Sequence, residues 1–257
     1  MTTTRCIRIG DREVARIGLG TNRLTHTQEH VDLVRAAVDA GIGCIDSAHA
    51  YTGGQSETTI GAALDGKSHG TVVATKGGHA PGHARPEVLR SQIEESLRRL
   101  RTDCIELYYL HRVDPETPLE ESLGEIRRHV DAGSIRHVGL SQVSVEQIER
   151  AQTVAPVTAV QNHYNLSERG FDDVLDHCTR ERIVFVPYFP LRGDAPGSVR
   201  DVAQRHQAKP SQIALAWLLR RSPMTLPIPG TLSLEHLREN LGALDIELTD
   251  EEFQALS

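Results

Sequence analysis

A chain of 257 residues with 39% hydrophobic residues has ample material for a core and fits one large α/β domain or two small ones. The formal charge of -7, with Lys and Arg scattered instead of gathered into a stripe, argues against nucleic-acid binding and against any polyanion partner.

The chain opens with Cys6-Ile7-Arg8-Ile9, Gly10-Asp11 and Glu13-Val14-Ala15-Arg16, two short segments about a Gly-Asp turn that predict a β-hairpin. Ile17 to Asn22 then reads as a glycine-rich strand whose end lets a ligand approach the backbone closely. From Gln28, the apolar Val31, Val34, Ala37 and Val38 follow helical spacing, and Gly41 lies where a helix stop belongs. A strand is predicted at Gly43–Ile45. A helix over Ser56–Leu64 follows, with Ser56 as cap and Glu57 as first-turn acid.

The alternation continues without a break. Strands are predicted at Thr71–Thr75, Cys104–Leu110, Ile135–Leu140, Val157–Val160, Ile183–Val186 and Thr225–Ile228. Helices are predicted at Pro86–Leu100, Pro118–Asp131, Val145–Gln152, Phe171–Thr179, Ser198–His206, Ser211–Arg220, Ser233–Leu241 and Asp250–Leu256. Eight strands alternating with helices predict a (β/α)8 TIM barrel with a short N-terminal hairpin. The competing doubly wound sheet fits less well. Gly18-Leu19-Gly20 does not open a helix as a dinucleotide-binding turn would, although Asp46 does end a strand. With no linker or low-complexity tract, residues 1–257 read as one domain.

Cys6, Cys44, Cys104 and Cys178 stand far apart with no C-x-x-C pair, so neither a zinc clip nor a redox dithiol is signalled. Three of them lie in or beside apolar runs, as reduced buried thiols do. The start of the chain lacks a basic segment followed by an apolar stretch, and no run approaches bilayer-spanning length; a soluble cytoplasmic protein without membrane contact is expected. Composition leaves the oligomeric state open and is compatible with a monomer.

In such a barrel, chemistry belongs to the carboxyl ends of the strands. Asp46, Lys76 and His111 end three consecutive predicted strands, and Tyr51 hangs on the loop after the first of them. Neighbouring strands lie about 5 Å apart, so the four side chains can form one hydrogen-bonded cluster. A phenol is a poor acid near neutrality, but an adjacent ammonium favours its anion; Lys76 can supply that charge and Asp46 can hold Lys76 charged. His111 can orient a carbonyl oxygen or share its developing charge. Taken singly, Asp46 with Lys76 reads as a structural ion pair, His111 as a loop-bonding residue and Tyr51 as a surface aromatic; their joint placement favours chemistry.

These residues resemble the signatures of the aldo-keto reductase superfamily. The first is Asp46-Ser47-Ala48-x-x-Tyr51 with Ser56-Glu57 and Gly61-x-Ala63-Leu64. Later ones are Val73-x-Thr75-Lys76, His111-Arg112-x-Asp114-Pro115 and Gly133-x-Ile135-Arg136-x-Val138-Gly139-Leu140-Ser141. Gln161-x-x-Tyr164-Asn165, Val186-x-Tyr188-x-Pro190-Leu191 and Ile228-Pro229-Gly230-Thr231 with His236-Leu237-x-Glu239-Asn240 extend the similarity over nearly the whole chain.

The resemblance implies a β/α barrel holding NADPH in an extended pose. It implies a tetrad of Asp46, Tyr51, Lys76 and His111 that reduces an aldehyde or ketone, with Tyr51 as general acid. By the same matching, Gly20, Thr21, Asn22, Asp46, Ser141, Gln142 and Gln161 approach the nicotinamide and Tyr188 stacks on it. Phe189, Pro190, Leu191 and Arg192 follow the pyrophosphate; Ile228, Gly230, Thr231, Ser233, His236, Glu239 and Asn240 surround the adenosine end. Ser233 opens a helix whose N-terminus suits a phosphate.

The sequence departs from the pattern at Gln142, where asparagine is usual, and at Gly230 and His236, where many members carry Lys and Arg for the 2′-phosphate. NADPH is expected, with NADH admitted; Thr231, Ser233 and Arg238 can compensate. The short stretch from Leu191 to Ser198 and the end soon after Phe253 imply an open site with fast cofactor exchange.

His79 and His83, about Ala80-Pro81-Gly82, lack a third metal ligand and read as a solvated loop that can border the pocket, so no metal is expected. The pairs Arg98-Arg99 and Arg127-Arg128 read as solvated helix faces, and Trp217 as core. Two other functions are kept in view: a cofactor-bound regulatory subunit, and a Schiff-base aldolase using Lys76. With aromatics at 4%, no aromatic cage is evident, which favours small or polar carbonyl substrates.

Overall fold

The computed structural model describes residues 4–67, 70–193 and 197–256. Strands β1 (Cys6–Ile9) and β2 (Arg12–Ala15) form the antiparallel hairpin that the Gly-Asp turn predicts. Seven parallel strands follow, each paired with the next in the chain: β3 (Gly18–Gly20), β4 (Cys44–Asp46), β5 (Val72–Gly77), β6 (Ile105–Leu110), β7 (Ile135–Ser141), β8 (Val157–Gln161) and β9 (Val184–Phe185). Helices α1 (Gln28–Asp39), α2 (Gln55–Leu64), α3 (Pro86–Leu100), α4 (Leu119–Asp131), α5 (Val145–Gln152) and α6 (Asp172–Glu181) are the crossovers. Then come α7 (Gly197–Arg205), α8 (Pro210–Arg221), α9 (Leu234–Gly242) and α10 (Asp250–Leu256). No described helix is long and apolar enough to cross a membrane.

The expected eighth strand at Thr225–Ile228 is not a regular one. On one side Phe185 N–H donates to Met224 O and Leu226 N–H to Phe185 O, both at 2.8 Å. On the other, Gly18 and Gly20 donate to the carbonyls of Pro227 and Pro229 at 2.9 and 3.2 Å. The segment therefore lies between β9 and β3 and closes the sheet into a barrel. Pro227 and Pro229 carry no N–H, so toward β3 the pairing runs one way only and no full ladder forms. The cost of closure is shared by Arg16, fully buried, whose guanidinium donates to the carbonyls of Leu219, Ser222 and Thr225. Burial lowers its pKa to about 10, still a cation at neutral pH.

Side chains alternate along each strand, which divides the core in two. Cys44, Ala74, Leu107, Tyr109, Ala159 and Val184 fill the barrel interior together with Ile7, Ile9 and Val14 of the hairpin. Ile45, Tyr108, Leu140, Val160 and Phe185 face the helices, where Trp217 stacks between Tyr164 and Phe253. The same period of two, continued to the strand ends, turns Asp46, Lys76 and Gln161 to the interior and Thr75 outward.

Other expectations change in detail. Ser56 does not cap α2; that place is taken by Gly54, which adopts φ 88° after left-handed Thr52 and Gly53. Of the cysteines, all free, Cys44 and Cys178 are buried, Cys104 is half-buried and Cys6 exposed. Of the stretch Leu191–Ser198, residues 194–196 lie outside the described ones.

Candidate active site

Lys76 is the hub of the strand ends. Its Nζ donates to Asp46 Oδ2 at 2.7 Å, to Ser47 O at 2.6 Å and to the Tyr51 hydroxyl at 3.4 Å, which uses all three ammonium donors. The other Asp46 oxygen accepts from Gln161 Nε2 at 2.7 Å, so the carboxylate is also held at both ends. Lys76 is fully buried, and its charge lies 4.9 Å from the centre of the Tyr51 ring.

Burial is the largest influence on the Lys76 pKa and lowers it, but the attraction of Asp46 and the interaction with Tyr51 outweigh burial and leave it raised. The ammonium is therefore stable where an unpaired buried amine would lose its proton. For Tyr51 the expected direction is reversed. Burial raises its pKa and outweighs the Lys76 charge that lowers it, with Asp46 adding to the rise. Tyr51 thus rests as a neutral phenol, with the cation beside it that would stabilise its anion.

His111 is buried and its ring meets that of Tyr51 edge to face, with centroids 6.0 Å apart. Burial, then Lys76, His79 and Arg112, push its pKa down to about 2, so the imidazole is neutral. Its Nδ1 is buried without a hydrogen-bond partner. The neutral ring gains most by carrying its proton on Nε2, the nitrogen left to meet a ligand.

What holds this cluster was only partly visible in the sequence. Thr52 Oγ1 accepts from Ser56 N–H, and Ser56 Oγ lies 2.7 Å from Thr21 Oγ1 and 2.8 Å from Ser47 Oγ, tying the loops after β3 and β4 together. Glu57, expected as a first-turn acid, is fully buried and accepts from the outward-facing Thr75 at 2.6 Å and from Arg99 at 3.2 Å. Arg99, expected on a solvated face, also donates to Glu95 and to His49 O. Only contact between α2 and α3 reveals this pairing. The close approach appears at Gly61, where a Cβ would stand 2.1 Å from Arg99 O.

A cavity of about 550 Å³ opens above the cluster. Its wall includes Gly20, Thr21, Asn22, Asp46, Tyr51, His111, Ser141 and Gln161, the run Tyr188 to Arg192, and Ile228 with Gly230. Lys76 lies beneath that surface. Arg23, Arg112 and Pro229 also line it; the signatures contain Arg112 and Pro229, but none of the three takes a site role from the sequence. His79 lines it too, as the loop reading allows, 4.6 Å from the His111 ring. No group of metal ligands forms among the described residues.

Six expected cofactor residues are not in this wall. Gln142 accepts a backbone hydrogen bond from His163 at 2.8 Å. Ser233 caps α9 by accepting from His236 N–H, and Thr231 accepts from Ser233 N–H. His236 is exposed, Asn240 is buried, and Glu239 faces Lys209 at 3.7 Å. Gln142 follows β7, while Thr231 and Ser233 lead into α9 and His236, Glu239 and Asn240 lie along it, all outside the cavity.

The wall suits an extended anionic dinucleotide. Tyr188 is stacked on His163 at 5.3 Å and so fixed in orientation, while Phe189 and Leu191 stay exposed beside it. Arg192 faces the Phe189 ring at 5.2 Å, and Arg23 donates to Gly230 O at 3.1 Å. Flat apolar surface with nearby guanidinium groups is what an aromatic base and phosphates require.

Comparison with known proteins agrees with this geometry. The model of the Aldo/keto reductase family matches residues 16–196 and 193–257. An uncharacterized oxidoreductase of Schizosaccharomyces pombe is 37% identical, over 97% of this chain and 88% of that protein. A probable aldo-keto reductase of Glycine max is 31% identical, over 95% and 85%. The structure of an aldo-keto reductase from Klebsiella pneumoniae in complex with NADPH superposes with a TM-score of 0.90 at 31% identity, over 98% of this chain and 93% of that one.

Proposed function

The chain belongs to the Aldo/keto reductase family, and on that premise we propose that it reduces a small aldehyde or ketone with NADPH, using Tyr51 as the acid. The observation that carries this reading is Tyr51 in the cavity wall, with its hydroxyl 3.4 Å from an ammonium that is itself 2.7 Å from a buried carboxylate. When bound, NADPH would supply a hydride for the carbonyl carbon. As negative charge grows on the carbonyl oxygen, Tyr51 gives up its phenolic proton to it, and Lys76 stabilises the phenolate left behind. Asp46 acts on Lys76, keeping it charged and aimed. His111, neutral and protonated on Nε2, donates to the same oxygen and sets its direction.

A Schiff base at Lys76 is opposed by its burial and by a raised pKa, since a nucleophilic amine must be exposed and unprotonated. The cofactor seat is supported by Tyr188, Arg192 and Arg23, and the Klebsiella pneumoniae complex supports NADPH. A panel of short aldehydes and ketones, followed by NADPH absorbance, tests the reading. Turnover of several is expected with higher kcat/KM for NADPH than for NADH. A clear NADH advantage would overturn the cofactor assignment, and no turnover would overturn the activity.

A further inference from the structure

Of the three guanidinium groups on the cavity wall, Arg112 is the one attached to the reacting end. It directly follows His111 at the end of β6, whereas Arg23 is tied to Gly230 and Arg192 lies against Phe189. Its own hydrogen bond, to His111 O, is long at 3.4 Å. Among the described residues no carboxylate pairs with it; the acid in the wall, Asp46, is already held by Lys76 and Gln161. A half-buried guanidinium with no anion beside it carries a desolvation cost that an anionic ligand would offset.

We propose that Arg112 is a specificity residue that selects carbonyl substrates bearing a carboxylate a short chain away from the reacting carbon. The proposal rests on the carbonyl-reductase reading above and names the substrate class for that same site. The planar fork of Arg112 binds a carboxylate through two parallel hydrogen bonds. His79, on the same wall with its ring tilted 46° against that of His111, lies beside that seat. Burial, with Arg112 and His83, lowers the His79 pKa, so Arg112 is the fixed cation there and His79 is neutral. One fixed charge suits a singly charged carboxylate better than a doubly charged phosphate ester. The Arg112 charge bears most on His79 and only weakly on Tyr51 and His111, which places it at the His79 side of the reacting end.

The test compares 5-oxopentanoate with its methyl ester, using NADPH and the full chain. The wild type is expected to favour the acid by roughly tenfold or more in kcat/KM, chiefly through KM. Arg112→Gln should bring the ratio toward one, and Arg112→Lys should restore part of it. The ratio is taken within each variant, so a reduced yield of folded protein cancels. Ester turnover without any preference for the acid, or a preference untouched by Arg112→Gln, would overturn the proposal and leave the reductase reading standing. Preference for a phosphorylated aldehyde over both compounds would also overturn it. No turnover of any aldehyde would overturn both.

Discussion

The Lys76 ammonium lies 2.7 Å from Asp46 Oδ2, with both side chains withdrawn from solvent. Such a pair gives little net stability as a unit, but breaking it leaves an uncompensated buried charge. Asp46→Asn is therefore expected to cost about 3 kcal/mol in urea unfolding and to lower kcat at least about tenfold. The sign with pH follows from Lys76, whose folded pKa is raised above 10.5. Its contribution is fully present below that pH and is lost as pH rises through the folded value. Stability of the wild type should fall on this alkaline side more steeply than that of Asp46→Asn. Equal alkaline slopes would show that the pair does not hold the lysine charged.

His111 makes a different prediction for activity. Because its imidazole is neutral down to about pH 2, it supplies no titration between pH 5 and 8. For a neutral aldehyde, kcat/KM should show no acid limb near pH 6.5. A limb there that disappears in His111→Gln would contradict the neutral hydrogen-bond donor.

Arg16 tests closure of the barrel. Its guanidinium serves three carbonyls from the end of α8 and the segment after it, with no carboxylate among those partners. Arg16→Met keeps similar bulk but leaves those acceptors without a donor, and about 3 kcal/mol of stability should be lost. A shift below about 0.5 kcal/mol would show that the carbonyls find other donors.

The alternation of apolar runs with helical spacing made the barrel legible, and the meeting of Asp46, Tyr51, Lys76 and His111 followed from three strands ending in ionisable residues. Less legible was whatever depends on distant packing. Glu57 looked like a first-turn acid because its partners, Thr75 and Arg99, are 18 and 42 residues away. Arg16 looked like the end of a hairpin because its acceptors come more than 200 residues later. The last strand was found but misjudged in kind, since Pro227 and Pro229 remove the donors a regular ladder needs. The Tyr51 pKa was misjudged in direction because burial, invisible in the sequence, outweighs the neighbouring lysine.

Tyr51→Phe tests the central claim most directly, because it removes one oxygen and leaves the ring against Lys76 and His111. Single-turnover reduction of an aldehyde that the wild type accepts, with NADPH saturating, should slow by at least about a thousandfold, while cofactor binding followed by fluorescence is retained. Hydride transfer at the wild-type rate in Tyr51→Phe would show that another group supplies the proton.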